Sequence, residues 1–223
     1  MDGGGFCCSV SVSDEEKGYT LSSALDLEGT ADRMARALIE MTSGYGEEPV
    51  EVLKTFPAYS RGIVVERDIP FSSLCSHHLM PFSGTVDIAY ETDGSLVFGA
   101  SKLARAVDIL SRRLQLQENL GSELVNSILK ALRLGYADLK IISINERIHS
   151  ETSMDVSKQQ AVKVDNFQKS IEASLMDSAI LVRIKASHTC MGCRGIKAVG
   201  ASYTTVNSYG DRERIKMLME ALR

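Results

Sequence analysis

The sequence contains no apolar run of transmembrane length and no surplus of basic residues. The first absence excludes a membrane-spanning helix. The second, a formal net charge of −4 over 223 residues, argues against nucleic-acid binding across a broad basic face and leaves room for a local basic pocket. The opening stretch, MDGGGFCCSVSVSDEEKG, has no basic n-region and only a short apolar patch, so no secretory leader is expected. Five cysteines, an odd number, suit reduced thiols better than a disulfide framework, and the expected compartment is the cytoplasm. Tandem repeats and low-complexity linkers are also missing. What remains is a chain with 44% hydrophobic residues, enough for a substantial core. The expected organisation is a tail over 1–27 and one folded domain over 28–223.

Cysteine and histidine are scarce, and they are clustered. Cys75-Ser76-His77-His78 and His188-Thr189-Cys190 hold three of the four histidines and two of the five cysteines, with Cys193 close behind. Both residue types bind zinc, as thiolate and neutral imidazole. Cys75 and His78 are three apart and can converge across a turn. His188 and Cys190, if extended, share a strand face. His77 and His78 would then point apart, one ligating and the other free for another role. Cys75, His78 and Cys190 give three ligands, the number left by a catalytic zinc that keeps one position for water. On a strand Cys193 would face away from Cys190, so it is expected off the metal.

Local patterns place these clusters on elements. Thr30 can cap a helix carrying Met34, Leu38 and Met41, with Gly44 and Gly46 ending it. Arg61–Phe71 reads as a strand. In Ser83–Glu91, Val86, Ile88 and Tyr90 alternate with Thr85, Asp87 and Ala89. Asp93-Gly94 is a turn signal. Leu103, Val107 and Leu110, then Leu120, Leu124, Ile128 and Leu132, predict two helices between Ser101 and a stop at Gly135. Lys140–Ile148, Ala179–Ala186 and Gly200–Asn207 read as strands.

These motifs, in this order, resemble the GTP cyclohydrolase I family. The resemblance is carried by CSHHLMPFSGTVDIAY (75–90), ASKLARAVDILSRRLQLQEN (100–119), HTCMGCRGI (188–196) and, more weakly, GTADRMARAL (29–38). It implies an α+β tunnelling fold, an antiparallel sheet backed by two helices with an N-terminal helical segment. Subunits would join into an oligomeric barrel, a homodecamer with active sites at subunit boundaries. It implies Zn2+ as cofactor and GTP as substrate, converted with water to 7,8-dihydroneopterin triphosphate and formate. By motif match the zinc ligands fall on Cys75, His78 and Cys190. Acid–base work falls on His77 and His188, which titrate near neutrality. The guanine-binding carboxylate falls on Glu118, with Gln117 beside it; a carboxylate accepts two hydrogen bonds from the guanine N1–H and 2-amino group. Lys102, Arg105, Arg194 and Arg33 match triphosphate contacts, at and near a helix start that favours anions. Ser101 matches a ribose-binding or proton-relaying position.

The sequence also departs from the family pattern. Ser76, Thr85, Asp87, Ala31 and Asn119 stand where glutamate, lysine, histidine, proline and arginine are usual. About forty extra residues lie near 136–178, a length that usually carries a function or lacks fixed structure. A noncatalytic zinc-stabilised oligomeric scaffold and a related pterin-binding tunnelling-fold protein are the alternatives. A thioredoxin-like use of Cys190-x-x-Cys193 lacks the surrounding βαβ pattern.

Overall fold

A computed structural model describes residues 29–150 and 178–223. The expected tail and most of the insertion, 151–177, lie outside the described residues. Two compact units meet between Leu38 and Ile39, inside helix α1 (Thr30–Met41). Helix α1 opens after Gly29, which takes φ +71°, and Thr30, its first residue, accepts a hydrogen bond on Oγ1 from the Arg33 guanidinium.

In the second unit, a 3-10 turn (Ser43–Gly46) and a short helix α2 (Pro49–Val52) lead into β1 (Thr55–Pro57). The main sheet contains β2 (Gly62–Cys75), β3 (Pro81–Thr92), β5 (Leu114–Gln115), β6 (Ile180–His188) and β7 (Tyr203–Tyr209). Their order is β5-β2-β3-β6-β7, antiparallel except where β5 runs parallel to the end of β2. A separate ribbon pairs β1 with β4 (Leu96–Phe98). The Asp93-Gly94 turn forms as its sequence predicts, with Asp93 Oδ1 accepting Ser95 N–H and Gly94 at φ +88°.

Helices α3 (Ala100–Ser111) and α4 (Gln117–Ser150) cover one sheet face. Their predicted apolar stripes are buried with Val86, Ile88 and Tyr90 in the principal core. The opposite face of β3 is covered as well. Helix α6 (Arg212–Ala221), following a one-turn helix α5 (Thr189–Gly192), packs Leu218, and Leu222 just beyond its end, against Ala89, Ala179 and Leu181. Asp211 caps α6 by accepting the N–H groups of Glu213 and Arg214.

Two expectations are corrected by α4. It runs through Gly135 without stopping, and 140–148 lie within it instead of forming a strand. Gly135 is small for a packing reason: a Cβ there would lie 2.5 Å from Thr55 Oγ1 and 2.9 Å from a Leu96 methyl. Close packing against the β1–β4 ribbon thus offsets glycine's weak helix propensity. Beyond it, each added residue gains a hydrogen bond at the small cost of β-branched side chains, so the helix propagates.

Arg112 and Arg113 tie the end of α3 to the 3-10 turn. Arg112 reaches Ser43, Glu47 and Asp108, while Arg113 donates to the carbonyls of Gly44 and Glu47. Asp87, on the α6 side of β3, is also committed: Oδ1 accepts the Asp68 N–H at 2.8 Å and Oδ2 pairs with Arg183 at 2.7 Å.

Candidate active site

The site forms where α4 begins beneath the ends of β6 and β7. Gln117, the first residue of α4, is buried. Its amide nitrogen lies 3.0 Å from both Ile184 O and Tyr203 O, and 3.2 Å from Thr205 Oγ1. Its oxygen lies 2.9 Å from His188 Nε2. Gln117 is therefore spent on joining three elements, α4, β6 and β7.

His188 ends β6. Its ring stacks on Phe82, with centroids 4.6 Å apart and planes 5° from parallel, and meets the Tyr203 ring edge-on at 6.1 Å. Antiparallel pairing of β3 with β6 sets Phe82 opposite His188 and so fixes the stack. Burial holds the imidazole pKa below its usual value, against the opposing pull of the Glu118 charge. Glu118 is exposed, and its Oε1 accepts the Tyr203 hydroxyl at 2.7 Å. Its own backbone N–H, followed by the Tyr203 hydroxyl, lowers the pKa of its carboxyl.

Gly121 lets β7 approach this first turn of α4. A Cβ there would stand 2.1 Å from Asn207 Oδ1. Asn207 in turn donates to Ser122 Oγ at 2.9 Å and Glu118 O at 3.4 Å.

The first cysteine–histidine cluster closes on itself. Cys75 is the buried last residue of β2; its N–H donates to Met80 O and its carbonyl accepts the Leu79 N–H. His77 and His78 lie in the resulting turn, not in an extended segment, and their rings are 6.2 Å apart at 77°. The second cluster also differs from expectation. β6 stops at His188, and Thr189–Gly192 form a helical turn in which the Cys193 N–H caps Thr189 O. Cys190 and Cys193 therefore share a side of a turn instead of facing apart on a strand. Cys193 Sγ comes within 4.0 Å of Met80 Sδ, beside the Cys75 turn.

Cys75, Cys190 and Cys193 are all free thiols. Two thiols and an imidazole, drawn from the Cys75–His78 turn and from α5, fit zinc by donor chemistry. Among the described residues, no three His, Cys, Asp or Glu side chains gather into a group able to hold an ion. Deprotonated donors repel one another, so the cation itself supplies the attraction that would draw them together.

Ser101, Lys102 and Arg105 lie at the opening of α3, where Gly99 is the N-cap. Arg194 is exposed just after α5. Arg33 belongs to the first unit. The structure thus bonds Gln117 directly to His188 and links both to Glu118 through Tyr203. Neither Tyr203 nor Phe82, stacked on His188, has a site role in the sequence reading. Tyr203 could have been flagged as an aromatic in a polar strand segment, thirteen and fifteen residues beyond the zinc-type cysteine and histidine, but that signal is weak.

The chain matches the family model described as GTP cyclohydrolase I over residues 22–164. It is similar to GTP cyclohydrolase 1 of Clostridium kluyveri, with 34% identity over 185 residues that span 82% of this chain and 76% of that protein. The enzyme of the same name from Clostridium perfringens is 34% identical over 182 residues, 81% of this chain and 75% of the relative. That of Streptococcus thermophilus is 31% identical over 221 residues, 94% and 95% of the two chains.

Proposed function

The chain belongs to the GTP cyclohydrolase I family, and from that premise we propose that it opens the guanine imidazole ring of GTP hydrolytically. Rearrangement and reclosure then yield 7,8-dihydroneopterin triphosphate and formate. The observation that carries the reading is the bonded set Gln117–His188 and Tyr203–Glu118, which holds an imidazole and a carboxylate side by side.

Glu118 accepts the guanine N1–H and 2-amino group, one on each oxygen. A carboxyl with a lowered pKa stays ionised for this task at neutral pH. His188 presents Nδ1 to the reacting ring, because Nε2 is engaged by Gln117, and it moves a proton there. Its neutral form is favoured by burial. His77, in the turn that follows β2, supplies a second imidazole for proton transfer. Cys75, His78 and Cys190 would hold the zinc. Bound there, zinc would supply Lewis-acid activation of a water molecule.

Lys102, Arg105 and Arg194 bind the triphosphate, and Ser101 serves the ribose. In the family, active sites stand at subunit boundaries, so part of this anion-binding set can face an adjoining copy's base pocket. Assembly into a homodecameric barrel is supported by the half-exposed strand β7, which ends the sheet among the described residues, a position from which strands pair with another chain.

The test is incubation of metal-loaded protein with GTP, following formate and a reduced pterin together. Equimolar release of both is the expected result. Tight GTP binding with neither product would favour the noncatalytic scaffold.

A further inference from the structure

We infer that Tyr203 is a positioning residue for base selection, its hydroxyl holding the Glu118 carboxylate ready for the guanine edge. This rests on the reading of Glu118 as the base-binding group.

Glu118 is an exposed side chain with three rotatable bonds, and it would otherwise sweep through solvent. Tyr203 removes that freedom through a 2.7 Å hydrogen bond to Oε1. The tyrosine is itself anchored twice. Its carbonyl accepts from the Gln117 amide at 3.0 Å, and its ring lies edge-on to His188 at 6.1 Å. The main chain of Glu118 is held from the same strand, where Asn207 donates to its carbonyl. One strand, β7, therefore sets both the backbone and the carboxylate of the recognition residue.

The stoichiometry of lone pairs lets Tyr203 remain in place when substrate binds. An ionised carboxylate offers about four acceptor positions. The Glu118 backbone N–H takes one, tyrosine takes one, and guanine takes one on each oxygen, which fills the four. Fixing the carboxylate beforehand lowers the ordering cost of binding, and it matters most for a ligand that engages both oxygens at once. Inosine triphosphate, which lacks the 2-amino group, engages only one. Tyr203 should therefore sharpen the preference for guanine over hypoxanthine.

Tyr203→Phe keeps the ring and the strand and removes one hydroxyl. Kinetics and equilibrium binding would be measured on the metal-loaded full chain with GTP and with inosine triphosphate. The expected result is a KM for GTP raised about 3–10-fold, kcat within about 2-fold, and a GTP preference reduced by a similar factor. Unchanged GTP affinity, or an equal loss for both nucleotides, overturns the positioning role. Glu118→Gln, run in parallel, separates the two levels. If it weakens GTP binding while Tyr203→Phe does not, only the role of Tyr203 falls. If Glu118→Gln itself leaves GTP binding unchanged, the guanine-binding reading falls and takes this inference with it.

Discussion

His188 Nε2 lies 2.9 Å from Gln117 Oε1, while the nitrogen of the same amide faces two main-chain carbonyls. The amide's polarity is thereby fixed: its NH2 donates to Ile184 O and Tyr203 O, so its oxygen must accept. His188 then carries its proton on Nε2 and leaves Nδ1 as the free acceptor. One buried glutamine sets both the plane and the tautomer of the imidazole, and Phe82 closes one face of the ring.

Replacing Gln117 by leucine should therefore harm chemistry through the imidazole that it orients. The expected loss is about 10–100-fold in kcat, the scale of a misplaced acid–base group. Stability should fall by about 1–3 kcal/mol, because buried carbonyls lose their donor. Urea unfolding gives the second quantity and formate release per folded molecule the first. Nitrogen NMR of His188 should show mixed tautomers. Full turnover in a folded variant would mean that the bond does not orient the imidazole.

Glu118→Gln should weaken GTP binding by about 1.5–3 kcal/mol, the value of a charge-assisted hydrogen bond. The pH dependence follows from the lowered carboxyl pKa. A depressed folded pKa means that the ionised form is favoured above the ordinary carboxylate range and is lost only as pH falls through the lower, folded value. The Glu118 contribution to GTP binding should thus be flat from neutrality down through the ordinary carboxylate range and decline only below it. Titration calorimetry of both proteins across this range tests the point. A decline that begins above the ordinary carboxylate range, in the wild type alone, would contradict it.

Asp87 stands where the family usually has histidine, and its structural role is to hold the C-terminal helix face. It pairs with Arg183, whose guanidinium also donates to Leu222 O at 3.1 Å, and it accepts the Asp68 N–H at the β2 irregularity. Arg183 is 36% exposed, so solvent recovers part of what the pair loses when broken. Asp87→Ala should cost about 1–3 kcal/mol, with faster hydrogen exchange at the end of α6. An unfolding midpoint within error of wild type would show that the pair contributes nothing.

The sheet and both covering helices were legible because their apolar residues recur at periods of 2 and 3.6 with few interruptions. Gly135 was misleading: glycine signals a helix stop and a close approach equally well, and only the β1–β4 ribbon tells which applies. The isoleucines after Lys140 have β propensity, but cooperativity of an established helix outweighs it. Helix α6 had a readable start at Asp211 and readable spacing at Ile215, Leu218 and Leu222, although the sequence reading assigns nothing there. For the site, residue types in the motifs pointed to Gln117, Glu118 and His188. Their bonding was not legible, because it depends on β7 arriving beside the start of α4, which Gly121 permits and no local pattern announces.

The helical turn at Thr189–Gly192 changes what Cys193 can do. On a strand it would point away from Cys190; in a helical turn, ideal geometry puts the two Cα atoms about 5 Å apart, inside the range of roughly 4.4–6.8 Å that a disulfide spans. Cys193 is exposed and Cys190 half-buried, whereas Cys75 is buried. A small-molecule disulfide should therefore be attacked first by Cys193. Cys190 then resolves the mixed disulfide, so that two protein thiols become one disulfide and the reagent leaves as two thiols. Because Cys190 is a proposed zinc ligand, metal-loaded wild type treated in this way should release zinc and lose about 2 Da, two hydrogens. Cys193→Ser should keep its zinc and its turnover under the same treatment. Peptide mapping should find the bond between 190 and 193. Equal zinc loss from both proteins, or a bond joining Cys190 to Cys75, would show that the helical turn does not control the chemistry of these thiols.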